Sequence, residues 1–311
     1  MIEFILNRLA GGLVTLLVIA TACFFIIRFA PGNPFTGERK LPPEVLRNLE
    51  RAYNMDKPLL VQYVLRMKGY LSGDLGLSTK YLGKRVDELL FPSFGTSLQL
   101  GVLGFLFSML VGIPIGIVSA AKQNRLPDYM SSSAALVGIC VPNFLLGPLL
   151  VMAFALTLHW LPVAGWPENF SGEELLKLLL PTVTLGAVHV AYVSRLTRAG
   201  MLDVLHKDFI RTARAKGLDE RTVFLKHALK NSMTPVLSYA GPMAAYIFTG
   251  SVVVEKIFNI PGMGQHFIDA ALARDDAMVM GAVLLYSSLV ITFNVFVDIG
   301  YSILDPRVRL T

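Results

Sequence analysis

Few residues in this chain have the types and spacing that chemistry requires. There is no Gly-x-x-x-x-Gly-Lys-Ser/Thr to cradle nucleotide phosphates, no His-Glu-x-x-His, no Gly-x-Ser-x-Gly and no Cys/His cluster at metal-ligand spacing. Cys23 and Cys140 each lie inside an apolar run, which argues against a disulfide framework. His189 has no carboxylate at helical spacing, so a packed histidine is favoured over a proton relay. Asp298, late in an apolar run, reads as an interface or interhelix polar contact. The richest stretch is 201–235. There Asp208 is placed to cap a short helix over 209–216, and Gly217 suits the left-handed position that ends it. Asp219 is placed to cap the next helix, which runs through Lys226, His227 and Lys230 into an apolar run. No catalysis is visible there. A short basic helix of this kind either lies on anionic lipid or docks into a groove on another protein, and Ala213 and Ala215 would permit close approach.

The elements around these residues are membranous in composition. Of 311 residues 54% are hydrophobic and only 16% charged, with a net charge of +6. That excludes an ordinary soluble enzyme, a disordered chain and a disulfide-rich module. Six apolar runs are long enough to span a bilayer: 9–29, 96–120, 131–158, 181–199, 233–254 and 279–304. The first is too long for a signal-peptide core and is followed by no small-x-small cleavage site; Arg28, near its end, can snorkel. Residues 31–92 differ in kind. They open on the turn cluster Pro31-Gly32-Asn33-Pro34, start a helix at Pro42-Pro43-Glu44 with Val45, Leu46, Leu49 and Tyr53 on one face, and continue with an amphipathic helix over 59–71 and a turn-rich 72–78.

Lysine and arginine placement sets the orientation. With the N-terminus in the cytoplasm, 14 of the 28 basic residues fall on cytoplasmic segments, nine of them between Arg195 and Lys230, and only Lys177, Lys256 and Arg274 fall in short loops opposite. Both termini, Arg307 and Arg309 included, are therefore expected in the cytoplasm and the 31–92 subdomain outside. The expected organisation is a first transmembrane helix in 1–30, the external subdomain in 31–92, a five-helix core in 93–305 with a cytoplasmic loop over 200–232, and a tail in 306–311.

Arg211-Thr212-Ala213-Arg214-Ala215-Lys216-Gly217, with His227-Ala228-Leu229-Lys230-Asn231 downstream, resembles the EAA loop of ABC importer permeases. Arg211 stands where that family usually has Glu and Thr212 replaces the first Ala, which matches the peptide-permease subfamily. Arg28 to Arg39, Gly73-Asp74-Leu75-Gly76, Gly112-Ile113-Pro114-Ile115-Gly116, the run from Glu255 to Gly264, and Asp305-Pro306-Arg307 also resemble family blocks, in order along the whole chain. The resemblance implies an all-α polytopic membrane protein of six transmembrane helices, with the type I importer permease (MetI-like) fold and an external helical insertion after the first helix. It implies a multi-pass permease of the inner (cytoplasmic) membrane that moves oligopeptides by alternating access. Dipeptide or nickel transport within the same subfamily is the alternative, and an ion-coupled secondary transporter is the rival class; acids inside the spans are too sparse for the latter. The implied partners are a second permease (OppC-like), two nucleotide-binding ATPase subunits (OppD- and OppF-like) and a peptide-binding protein (OppA-like), besides the lipid bilayer, with no nucleic acid. ATP and Mg would be bound by those partners and no cofactor by this chain. The residues implied to dock the ATPase are Asp208, Phe209, Arg211, Thr212, Ala213, Ala215, Lys216 and Gly217. Glu255, Pro261, Gly262 and Gly264 are implied to form an external loop near the pathway. Asn143, after Pro142, would line a path, cap a broken helix or make a structural contact. Gly112 and Gly116 form a G-x-x-x-G for which packing inside the chain is favoured over packing on the partner permease.

Overall fold

The computed structural model describes residues 2–30, 35, 42–169 and 171–304, with side chains except those of 2–5, 250 and 300–304. The turn cluster at 31–34, the 36–39 block and the 305–311 tail expected from the sequence lie outside the described residues. The described residues are helical apart from turns and an isolated antiparallel bridge, Leu77 to Arg85. The described residues form two compact units, one within 1–97 and 261–295, the other within 98–260 and 296–304.

The first unit holds α1 (Ile2–Phe29), α2 (Pro43–Ala52), α3 (Leu59–Leu71), the start of α4 (Val86–Ala121), α13 (Met263–Ala273) and most of α14 (Asp276–Leu304). Pro43 occupies the first position of α2, where its missing N–H costs nothing. The core consists of Leu75, Val86, Leu90, Met263, Ala270, Met278 and Ala282. Its polar centre is Asp275, fully buried. That carboxylate accepts from the Ser78 hydroxyl, from Lys80 N at 3.1 Å and from Met278 N at 3.1 Å. The 73–76 turn delivers Leu75 to this core: Gly76 sits at φ +87 and its N–H donates to Asp74 Oδ1 at 2.9 Å.

The second unit holds the rest of α4, α5 (Leu126–Cys140), α6 (Asn143–Leu150) continued by a π-helical turn (Val151–Thr157), and α7 (Gly172–Leu175) leading through a 3₁₀ turn into α8 (Leu179–Leu205). After these come α9 (Asp208–Ala215), α10 (Glu220–Thr222), a π turn (Val223–Ala228), α11 (Leu229–Ser232) and α12 (Thr234–Ile257). Leu100, Leu180, Leu185, Val193, Met243, Ile247, Val254 and Phe258 form its main core. Gly112 and Gly116 of α4 face α8 of the same chain: a Cβ on Gly112 would meet Val193 at 2.8 Å and Val190 O at 3.0 Å. The G-x-x-x-G therefore packs within the chain.

Among the described residues five helices are long and apolar enough to cross a membrane, and a bent pair makes up to six. The apolar run over 131–158 is bent: α5 and α6 meet at 109°, so Asn143 begins the second arm of a broken helix, one of the readings the sequence left open. Pro142 disfavours helix at the residue before it, and Val141 is extended at φ −88, ψ 114.

Candidate functional site

The short helix α9 has two faces. Ile210 and Ala213 turn inward and pack with Ala120, Met201, Val204, Val223 and Ala228. Phe209, Arg211, Thr212, Ala215 and Lys216 face out, Phe209 with 42% of its surface exposed. The two alanines thus have different environments: Ala213 helps hold α9 onto its own chain and Ala215 lies on the outer surface. An exposed phenylalanine beside Arg211, Thr212 and the small Ala215 is the residue type that fills a groove on a partner.

Asp208 does not cap α9. Lys207 holds the N-cap position at φ −78, ψ 152, and Asp208 is the first helical residue. Its charge still complements the helix dipole, and it approaches Arg211 at 3.5 Å, an exposed pair that contributes little. At the other end Gly217 lies at φ +77, and its N–H reaches Arg214 O at 2.9 Å. Asp219 caps α10, accepting from Thr222 N at 3.1 Å; its bonds to Thr222 hold the carboxyl below the usual range. Arg214 crosses this turn to Glu220 at 2.8 Å. The turn between α9 and α10 is therefore stapled at 214–220 and 219–222, with a glycine conformation between.

Near the α8 end that leads into α9 lies an ion pair that sequence reasoning missed. Arg198 grips Asp128 with Nε to Oδ1 at 2.6 Å and Nη2 to Oδ2 at 2.8 Å. Asp128 also accepts from the Ser119 hydroxyl at 2.5 Å and from Asn124 N at 2.9 Å. This carboxylate ties together the end of α4, the turn after it, the start of α5 and α8. The signal was an acid at the mouth of a span facing an arginine inside another, 70 residues away.

The run from Glu255 to Gly264 is not a plain external loop. Glu255 belongs to α12, is fully buried and accepts from Ser251 Oγ at 2.8 Å. Phe258 and Ile260 are buried, Ile260 N bonds Glu255 O at 2.9 Å, and Phe258 O accepts from Gly165 N at 2.8 Å. Pro261 is exposed, whereas Gly262 and Gly264 are buried around the start of α13. Met263 N there donates to Ser97 Oγ at 2.9 Å. Asn143 opens α6 after the N-cap Pro142, and its Oδ1 is buried without a hydrogen-bond partner among the described residues. Among the described residues no three His, Cys, Asp or Glu side chains gather as a metal site.

Residues 112–310 match the family described as binding-protein-dependent transport system inner membrane component, and residues 1–100 match the N-terminal model of such membrane components. The chain belongs to the binding-protein-dependent transport system inner membrane component family. The oligopeptide transport system permease protein OppB of Salmonella typhimurium is 45% identical over 99% of this chain and 100% of its own. OppB of Escherichia coli K12 is 44% identical over the same shares. The dipeptide transport system permease protein DppB of Bacillus subtilis is 38% identical over 100% of this chain and 99% of its own. A MetNI methionine ABC transporter chain in an inward-facing conformation shares the fold at TM-score 0.58 and 15% identity, covering 70% of this chain and 97% of that one. As an inner membrane component, this chain is a multi-pass membrane protein of the type I importer permease fold.

Proposed function

We propose that this chain is the transmembrane permease subunit of an ATP-binding-cassette importer that carries oligopeptides across the inner membrane. Whole-length similarity to OppB proteins supports the transport reading and the substrate class. The observation that carries the mechanism is the two-faced α9, with Ile210 and Ala213 anchored in the chain and Phe209 and Ala215 outside. The partners are a second permease of the OppC kind, two ATPase subunits of the OppD and OppF kinds, and a peptide-binding protein of the OppA kind. ATP and Mg are bound by the ATPase subunits. The chain's own residues supply no hydrolytic step.

With the bent α5–α6 pair counted as one crossing, six crossings keep both termini, α9 and the α4–α5 turn on one side, and the basic residues there support the cytoplasmic side. ATP binding closes the nucleotide-binding dimer, α9 follows it, and the differential affinity of the two ATPase states for α9 shifts the helical bundle between inward- and outward-open populations. The decisive experiment is purification of the chain from its native membrane with identification of P-loop subunits, followed by ATP-dependent uptake of tripeptides and longer peptides into proteoliposomes. ATPase-free purification, or uptake driven by an ion gradient alone, overturns the reading.

A further inference from the structure

Near the middle of two spanning helices the chain exposes tyrosine. Tyr192 lies thirteen residues from each end of α8, and Tyr246 lies twelve and eleven residues from the ends of α12. At 1.5 Å per residue both sit about 16–20 Å from either helix end, far from the interfacial belts where tyrosine usually settles. Their side chains are 39% and 54% exposed, and neither hydroxyl makes a hydrogen bond among the described residues. In hydrocarbon such a hydroxyl would go unsatisfied.

They belong to one cluster. Tyr239 is seven residues before Tyr246, two turns along α12, and His189 is three residues before Tyr192 on α8, so each pair shares a face. His189 Nδ1 meets the Tyr239 hydroxyl at 2.9 Å, its ring stands edge-on to Tyr246 at 5.2 Å, and the Tyr192 and Tyr239 rings are 5.4 Å apart. His189 Nε2 is buried with no hydrogen-bond partner among the described residues. The cluster thus offers ring faces and two free hydroxyls at mid-membrane depth, backed by the buried imidazole.

We infer that the face formed by Tyr192, Tyr239 and Tyr246 with His189 behind them is a wall of the translocation path and contacts the peptide in transit. This rests on the peptide-importer reading. A peptide offers a constant row of N–H and C=O groups and variable side chains. Tyrosine suits both, because its hydroxyl bonds the backbone while its rigid ring packs against whatever side chain arrives. Removing the hydroxyls should therefore weaken binding without abolishing movement.

The test uses the assembled complex in proteoliposomes with trialanine as the probe. Tyr192→Phe and Tyr246→Phe, singly and together, keep the rings. The double variant is expected to raise the KM for trialanine about fivefold, with peptide-independent ATP hydrolysis unchanged. A photoreactive benzoylphenylalanine at position 246 is expected to form an adduct with trialanine during turnover. An unchanged KM in every variant overturns the inference, as do adducts with phospholipid or the second permease alone. In both cases wild-type uptake leaves the peptide-importer reading standing. A wild-type complex that takes up no peptide under ATP brings down that reading and this inference with it.

Discussion

The Arg198 guanidinium grips Asp128 through two parallel N–H to O bonds, and the carboxylate it holds is only 4% exposed. Fork-to-carboxylate geometry gives direction as well as attraction, so α8 is fixed in register against the start of α5 and, through Ser119, against the end of α4. Arg198 is ten residues before Asp208, the first residue of α9. Arg198→Ala leaves a buried carboxylate unpaired, an effect on the order of 3 kcal/mol or more. The variant should melt at lower temperature in detergent, and Asp128→Ala on top of it should recover part of the loss. Strict additivity of the two substitutions in a double-mutant cycle would show that the pair is not coupled.

Gly217 makes the α9–α10 turn possible, and the reason is conformation rather than space. At φ +77 a side chain is strained, yet a Cβ there would meet nothing within 4 Å among the described residues. Gly217→Val should therefore distort the turn, at about 1–2 kcal/mol of left-handed strain, and lower peptide uptake per ATP hydrolysed. Gly217→Asn should be tolerated, because asparagine accepts this region. Equal uptake-to-hydrolysis ratios for the valine and wild-type complexes would remove the turn from the coupling mechanism.

Phe209 and Ile210 are neighbours with opposite fates. Ile210 is fully buried in its own chain and Phe209 stands outside. Phe209→Ala should spare the melting temperature of the isolated permease and reduce the ATPase subunits that copurify with it. Ile210→Ala should do the reverse first, lowering stability by about 2–5 kcal/mol as a core truncation. If Phe209→Ala destabilises the chain as much as Ile210→Ala, its outward placement has been misjudged.

Local signals carried much of this architecture. The apolar runs became α1, α4, α8, α12 and α14, proline and periodicity gave the starts of α2 and α3, and Asp219 caps the helix its position suggested. What the sequence left open depended on tertiary context. Pro142 was visible inside its run, but whether a proline is absorbed as a kink or opens a 109° corner depends on what surrounds it. Glu255 reads as a span ending because hydropathy treats any charge as water-facing, whereas within α12 it is buried and accepts from Ser251, one turn earlier. The Asp128–Arg198 pair leaves no periodic trace, since its partners meet only after two helices pack. At α9 the motif gave the element, while the division of its residues into inner and outer faces came from packing against Met201, Val204 and Val223.

His266 makes the first unit sensitive to acid. It lies in α13, its ring edge-on to Tyr81 at 6.3 Å. Burial pushes its pKa below the ordinary 6.5; Asp269 works against that shift and Lys80, which approaches Asp269 at 3.4 Å, adds to it. The folded chain therefore holds this imidazole neutral at a pH where the unfolded chain has begun to protonate it. Below about 6.5 the unfolded state binds more protons, so stability present at neutral pH falls as the medium is acidified through the folded-state value. Hydrogen exchange of α13 amides should accelerate between about pH 7 and pH 5 after correction for intrinsic rates. His266→Gln, which keeps a polar side chain that cannot take up a proton, should flatten that dependence. A profile as steep in the glutamine variant as in the wild type would assign the acid sensitivity to another group.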